Sequence, residues 1–189
     1  MLLVGRVAHE KNIGFVLNVL AEVRESIPDV LLVIAGEGPA LKSLGRDVHK
    51  AGLAEHVLFV GYLDRCGALL DCYRAANVFV FASRTETQGL VLLEALALGV
   101  PVVSTAVLGT KEVLQNARGA IVVDENAEAF AQAVVQVLRE PALQRSLGTD
   151  GASYVAERWS SAEMARRMQL LYAELTDARP CSTRKSIPE

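Results

Sequence analysis

Glu94 is the only charged residue in the run GLVLLEALALGVPVV, Gly89 to Val103, and it follows Glu86 by eight positions. An ionised carboxylate left unpaired among apolar side chains is costly, so such a group is compensated by a partner, neutralised, or turned toward a polar cleft. Two carboxylates at a cleft are suited to accept hydrogen bonds from the hydroxyls of a polyol. Gly89 stands at the expected start of a helix, where unpaired N–H groups and the helix dipole favour an anion by roughly 0.3–1 kcal/mol at exposed sites. Glu94, in the second turn, has a side chain that leans back toward that end. Together, Glu86 and Glu94 could grip hydroxyls on either side of a phosphate. The same residues admit a plainer reading, with Glu86 capping the helix and Glu94 paired with a neighbouring arginine.

A second chemical signal lies in the first loop, GRVAHEKN, where Arg6 and Lys11 are five residues apart directly after a strand pattern. Arg makes bidentate contacts and Lys supplies a compact charge, so the pair suits a diphosphate, although a solvated loop has the same composition. His9 reads as a surface residue. The segment GEGP, Gly36–Pro39, suggests a dinucleotide fingerprint, yet Leu41 stands where its third glycine would be and the segment follows the second strand. A glycine-rich turn before a helix, with Pro39 near its first position, explains it as well as ligand contact does. The chain has no G-x-x-x-x-G-K-[ST].

Short apolar runs alternating with amphipathic stretches must position these residues. Strands are expected at Leu2–Val4, Val30–Ala35, Val57–Val60, Val78–Ala82, Pro101–Ser104 and Ala120–Val123. Helices are expected near Asn12–Ser26, Pro39–Ala51, Arg65–Ala75, Gln88–Leu98 and Gly109–Gln115, and then Ala127–Arg139, Pro141–Glu157 and Ser160–Leu175. The order is that of βαβ units, and the strands are apolar on consecutive positions, as in a sheet covered on both faces. The fold class is therefore α/β, a doubly wound parallel six-stranded sheet of Rossmann-like type, with ligands beyond the carboxyl ends of its strands. The segments that follow each strand carry the site, which draws Tyr62 and Leu63, after the third, into consideration.

With 189 residues the chain suits one domain, residues 1–175, and from Thr176 the loss of apolar periodicity predicts a mobile tail, 176–189. Apolar residues at 51% and charged ones at 22% exclude a wholly disordered chain. A pI of about 5.7 argues against broad nucleic-acid binding. Cys66, Cys72 and Cys181 have neither zinc nor disulfide-framework spacing and read as free thiols of a reducing compartment. No run reaches the eighteen apolar residues of a membrane span and no signal peptide is evident, so the expected location is cytoplasmic, with any membrane contact peripheral.

The segments VGRVAHEK, VIAGEGP, VLFVGYLD, FASRTETQGLVLLEALALGVPVV and GTKEVL, in this order, closely resemble the nucleotide-sugar-binding half of retaining glycosyltransferases of family 4, with the GT-B fold. The resemblance covers about Leu2 to Leu175, and its most specific element is E-x7-E, Glu86 and Glu94. It implies that Arg6 and Lys11 bind the donor diphosphate and stabilise the leaving group. It assigns Glu86 to the donor sugar and Glu94 to the ribose hydroxyls. Backbone groups near Gly89 and Leu90 meet phosphate and sugar, the base lies near Tyr62 and Leu63, and Gly5 and Gly36 belong to the donor-binding loops. No metal ion and no cofactor is implied, because cations and a helix end stabilise the charge.

Members of that family are two Rossmann-like domains facing each other across a cleft, with the acceptor mainly on the N-terminal one. The resemblance implies that this chain begins at the first strand of the C-terminal domain and that half of the enzyme is expected outside it, so the 189 residues alone are expected to be inactive. The final helix often crosses back to the first domain, so the stretch around Trp159 to Leu175 is expected to pack differently alone. TETQGL is similar to the stretch in some glucosyltransferases that act on diacylglycerol, which suggests a lipid acceptor at the inner membrane face and UDP-glucose as donor. UDP-galactose, UDP-N-acetylglucosamine and GDP-mannose stay open as donors. Two other classes stay open as well: a stand-alone nucleotide-binding or regulatory module without catalysis, and a GT-B nucleotide-sugar epimerase.

Overall fold

The computed structural model describes residues 1–177. Strand and helix alternate from the first residues: β1 (Leu2–Val4), α1 (Ile13–Ser26), β2 (Leu32–Ala35), α2 (Leu41–Lys50), β3 (Val57–Gly61), α3 (Ala68–Arg74), β4 (Phe79–Phe81), α4 (Leu90–Ala97), β5 (Val102–Ser104), α5 (Gly109–Leu114) and β6 (Ala120–Val122). Three helices follow, α6 (Ala127–Arg139), α7 (Pro141–Arg158) and α8 (Ser161–Asp177). All six strands are parallel, in the order β3-β2-β1-β4-β5-β6. This is the doubly wound α/β sheet expected from the alternation.

The consecutive apolar residues have a direct cause. Leu3, Ile34, Val80 and Val103 point to one face, where α1, α2 and α6 cover them. Leu2, Val4, Phe79, Phe81 and Val102 point to the other, against α3, α4 and α7. With helices on both sides, each strand needs apolar side chains at both phases of its period of two.

Where observed boundaries depart from the expected ones, local hydrogen bonding explains the difference. Helix α3 begins at Ala68 instead of Arg65, because the Asp64 carboxylate accepts the backbone N–H of Cys66 at 3.0 Å and of Ala68 at 3.4 Å and holds residues 64–67 as a turn. Helix α4 begins at Leu90, because Gly89 takes a left-handed conformation, φ 66° and ψ 32°, as its N-cap. Pro39 precedes α2 and is not its first residue; the turn closed by Leu41 N–H on Gly38 O carries the chain into the helix. Single 3-10 turns at His9–Lys11 and Ala54–His56 are additional.

Helix α8 extends to Asp177, two residues past the expected end, and Ser160 Oγ accepts the Glu163 N–H near its start. Met168, Leu170, Leu171, Tyr172 and Leu175 are exposed along it. Cys66 and Cys72 are free thiols; Thr176 and Asp177 of the expected tail belong to α8, whereas Cys181 and the rest of residues 178–189 lie outside the described residues. Among the described residues no helix is long and apolar enough to cross a membrane.

Candidate functional site

Strands β1 and β4 are neighbours although three-strand halves of the sheet grow away from them in opposite directions. At such a switch point the loops leaving the two strands diverge and open a crevice at their carboxyl ends. Here those loops are Gly5–Asn12 and Ala82–Gly89, with the loop after β3 to one side. Backbone hydrogen bonds join the segments after β1, β2 and β3, with Gly5 N–H to Ala35 O at 3.0 Å, Val7 N–H to Glu37 O at 2.9 Å and Gly36 N–H to Gly61 O at 2.7 Å, and Arg84 N–H to Glu10 O at 3.4 Å joins the loop after β4 to the first. A side chain at Gly36 would place its Cβ 1.9 Å from the Gly5 carbonyl oxygen, so the first glycine of GEGP is required by this close approach. The segment is thus a loop seam whose Gly36 and Glu37 also line a cavity.

Lys11 reaches the crevice because the 3-10 turn ends in Asn12, whose φ of 55° reverses the chain before α1. Its ammonium donates to Glu86 Oε2 at 2.7 Å, and both side chains are only 19% exposed. The other Glu86 oxygen accepts the Gly89 N–H at 3.4 Å, so Glu86 does make the capping contact that the sequence left open. Burial alone would raise the Glu86 pKa. The hydrogen bond and charge of Lys11, with the amides of Gly89 and Gln88, outweigh burial and hold it below the usual carboxylate range. Lys11 carries three N–H donors, and Glu86 uses one.

Past Gly89, the first helix amide with a backbone acceptor is that of Leu92, on Gly89 O at 2.9 Å. The amides of Leu90 and Val91 precede it, at the positive end of the α4 dipole. Among the described residues, Arg6, 65% exposed, makes a loose contact with Glu10 at 3.8 Å.

Glu94 also has partners. Oε1 accepts from Arg65 Nη1 at 2.8 Å and Oε2 from the Tyr73 hydroxyl at 2.9 Å. The expectation that it pairs with a neighbouring arginine is met, by a side chain that is itself 66% exposed. Tyr73 is wholly buried. Burial first, then the charge of Glu94 and the hydrogen bond to it, push the phenol pKa well above its ordinary value, so the hydroxyl stays a donor.

Two cavities occupy the crevice. One, of about 420 Å³, is lined by Arg6, Lys11, Glu86 and Thr85, and by Glu10. The other, of about 260 Å³, is lined by Gly36, Glu37, Tyr62, Leu63 and Arg65. Val4, Gly5, Arg6 and Val91 belong to both, so the two adjoin. The larger offers two cations and two carboxylates; the smaller offers apolar walls and an exposed aromatic ring. Gly89, Leu90 and Glu94 line neither, and Glu94 lies behind Arg65. A further cavity of about 420 Å³ lies at the amino ends of the strands, beside Met1, Asp29 and Asn77, away from every post-strand loop named above.

The structure thus gathers Gly5, Arg6, Lys11 and Glu86 around one cavity and Gly36, Tyr62 and Leu63 around its neighbour. Sequence reading missed Arg65, Tyr73 and Glu37. Arg65 was legible as a post-strand loop residue once Asp64 was read as a turn former. Tyr73 was legible as a tyrosine on a buried helix face that needs an acceptor for its hydroxyl.

Comparison with known proteins follows the same lines. The family described as glycosyl transferases group 1 matches residues 1–153. The GDP-mannose-dependent alpha-(1-6)-phosphatidylinositol monomannoside mannosyltransferase of Mycolicibacterium smegmatis is 31% identical over 183 residues, covering 93% of this chain and 48% of that protein. A crystal structure of a mutant S. aureus TarM in complex with ligands that include UDP superposes with a TM-score of 0.82 at 20% identity, over 90% of this chain and 35% of that one. The C-terminal domain of a group 1 glycosyl transferase, LpcC of Francisella tularensis, superposes with a TM-score of 0.75 at 22% identity, over 85% of this chain and 86% of that domain. The fold is therefore that of the C-terminal domains of GT-B glycosyltransferases. The chain spans about half the length of the curated relatives it matches across most of its residues.

Proposed function

The chain belongs to the group 1 glycosyl transferases, and from that membership we propose that residues 1–175 are the nucleotide-sugar-binding domain of a retaining glycosyltransferase of family 4, the C-terminal half of a GT-B enzyme. The observation that carries this reading is the larger cavity at the β1/β4 switch point, where Lys11 is held by Glu86 beside Arg6. In it the donor diphosphate lies between Arg6, the remaining Lys11 donors and the amides of Leu90 and Val91. Its sugar reaches Glu86, its ribose reaches Glu94, and its base enters the smaller cavity against Tyr62 and Leu63.

The acceptor hydroxyl oxygen attacks the anomeric carbon from the face the diphosphate leaves. The bond from that carbon to the diphosphate breaks, the hydroxyl proton passes to the departing phosphate oxygen, and the configuration is retained. Arg6, Lys11 and the α4 amides stabilise the charge that develops there. Glu86 and Glu94 are ligand-holding groups in this scheme, unlike the acid and nucleophile pair of glycoside hydrolases.

The acceptor site belongs to a second domain outside these residues, a reading supported by the twofold greater length of the relative from M. smegmatis. The exposed apolar side chains of α8 suit contact with that domain. UDP-glucose is the first donor to test, and UDP in the TarM complex is consistent with it. GDP-mannose is the second, on the name of the relative at 31% identity. That name also supports a lipid-linked acceptor.

Calorimetric titration with UDP, GDP and their sugars tests the assignment. Binding by the unsubstituted chain that is lost in Lys11→Ala and in Glu94→Ala is the expected result. Unchanged affinity in both variants contradicts it.

A further inference from the structure

Tyr73 is a core residue with a polar obligation. Its ring is wholly buried and packs on Phe79 with centroids 5.7 Å apart, a role phenylalanine would fill equally well. Its hydroxyl has two oxygens within reach, Val91 O at 3.4 Å and Glu94 Oε2 at 2.9 Å, and one proton to give. The nearer, charged oxygen takes it. One Glu94 oxygen is thereby tied to the protein interior, while the other faces outward, where the exposed Arg65 occupies it at 2.8 Å. Arg65 also lines the smaller cavity, so an arriving hydroxyl that displaces it from Oε1 leaves it able to stay near the same ligand.

We infer that Tyr73 is a positioning residue for Glu94: by fixing Oε2 it presents Oε1 to the ribose diol, so that preference for ribonucleotides depends on a side chain that never touches the ligand. The inference rests on the reading of Glu94 as the ribose ligand. Without the anchor, the Glu94 side chain follows Arg65 toward solvent, and the carboxylate has to be ordered each time a nucleotide binds.

The test compares UDP and GDP with their 2′-deoxy and 3′-deoxy analogues, by calorimetry, on the unsubstituted chain and on Tyr73→Phe, Glu94→Gln and the double variant. The unsubstituted chain is expected to prefer the ribonucleotide by about tenfold, as one well-placed hydrogen bond to a charged group allows. Tyr73→Phe is expected to remove most of that preference, and to change little when Glu94 is already Gln. A Tyr73→Phe chain that unfolds cooperatively yet keeps the full preference overturns the inference and leaves Tyr73 a packing residue. If Glu94→Gln itself keeps the preference, the ribose assignment of Glu94 has failed instead, and the inference falls with it. Should Tyr73→Phe not fold, 3-fluorotyrosine placed at position 73 alters the donor strength of the hydroxyl at almost constant volume. An unmoved preference there overturns the inference equally, and a changed one supports it.

Discussion

Glu86 and Glu94 differ in what holds them, and the difference makes a pH prediction. The Glu86 carboxyl, despite burial, titrates below its ordinary 4.5 because Lys11 and two amides favour its charged form. A carboxyl depressed in the folded state stabilises the fold fully above its unfolded pKa and loses that contribution as pH falls through the folded value. Unfolding by urea should therefore show stability that is flat near neutrality and declines below about pH 4.5, with part of the decline absent in Glu86→Gln. An identical acid profile in both proteins would mean that the Lys11 contact is not made in solution.

A second residue predicts a gain. Val107–Thr110 is a turn closed by the Thr110 N–H on Val107 O at 3.3 Å, with Leu108 in its second position at φ 52° and ψ −129°. That conformation belongs to the first central residue of a type II′ turn, where glycine is favoured. Leu108 is 64% exposed, so little packing is lost on its removal. Strain of about 1–3 kcal/mol set against roughly 0.5–1 kcal/mol of glycine entropy predicts that Leu108→Gly stabilises the protein by about 1 kcal/mol. Thermal unfolding checks it, and a lower midpoint contradicts it.

The polar anomaly at Glu94 was legible in the sequence, but its partner was not, because Tyr73 precedes it by twenty-one residues and meets it only through the packing of α3 on the sheet. A carboxylate in an apolar run and a tyrosine on an apolar helix face each announce a missing partner. Sequence spacing does not say that the two satisfy each other.

Among the elements, α7 shows what periodicity conceals. Its buried face is Gly148, Gly151 and Tyr154, so no large apolar stripe marks the side that packs on α4. A Cβ at Gly148 would lie 2.4 Å from the Gly99 carbonyl oxygen, a backbone atom with no rotamer to change. Alanine is intrinsically better than glycine in a helix by about 1 kcal/mol. Overpacking costs typically 1–3 kcal/mol, and against a fixed carbonyl the upper end applies. Gly148→Ala should accordingly lower the unfolding free energy by about 1–2 kcal/mol, measured by denaturant titration, whereas a stabilised variant would refute the close contact between α7 and the α4 terminus.

Strands and the long amphipathic helices were readable to within a few residues because burial on both faces of the sheet leaves an apolar record. Loops were less readable. The Asp64 turn that delays α3 and the left-handed Gly89 that delays α4 depend on single side-chain and backbone choices, and these two loops decide where Arg65 and the α4 amides stand.

In the molecule as a whole, the proposed donor site is the crevice at the carboxyl ends of the strands. The larger cavity opens at the carboxyl ends of β1 and β4 with Arg6 on its rim, and the apolar side chains of α8 remain exposed. On the proposed division of labour, the chain binds a nucleoside diphosphate yet transfers no sugar by itself. A radiolabelled-donor assay on the 189 residues should show no product above background with any hydroxyl acceptor, and robust turnover would refute that division. In the sequence this expectation rests on motif order, in which the pairs Arg6/Lys11 and Glu86/Glu94 fit donor contacts.

Where the nucleotide sits is decided by amide chemical shifts, followed residue by residue while UDP or GDP is added. The donor-site reading predicts shifts concentrated at Gly5–Lys11, at Tyr62–Arg65 and at Gly89–Val91, with Lys11→Ala abolishing them. Shifts confined to the cavity beside Met1 and Asn77, or none with either nucleotide, would contradict it.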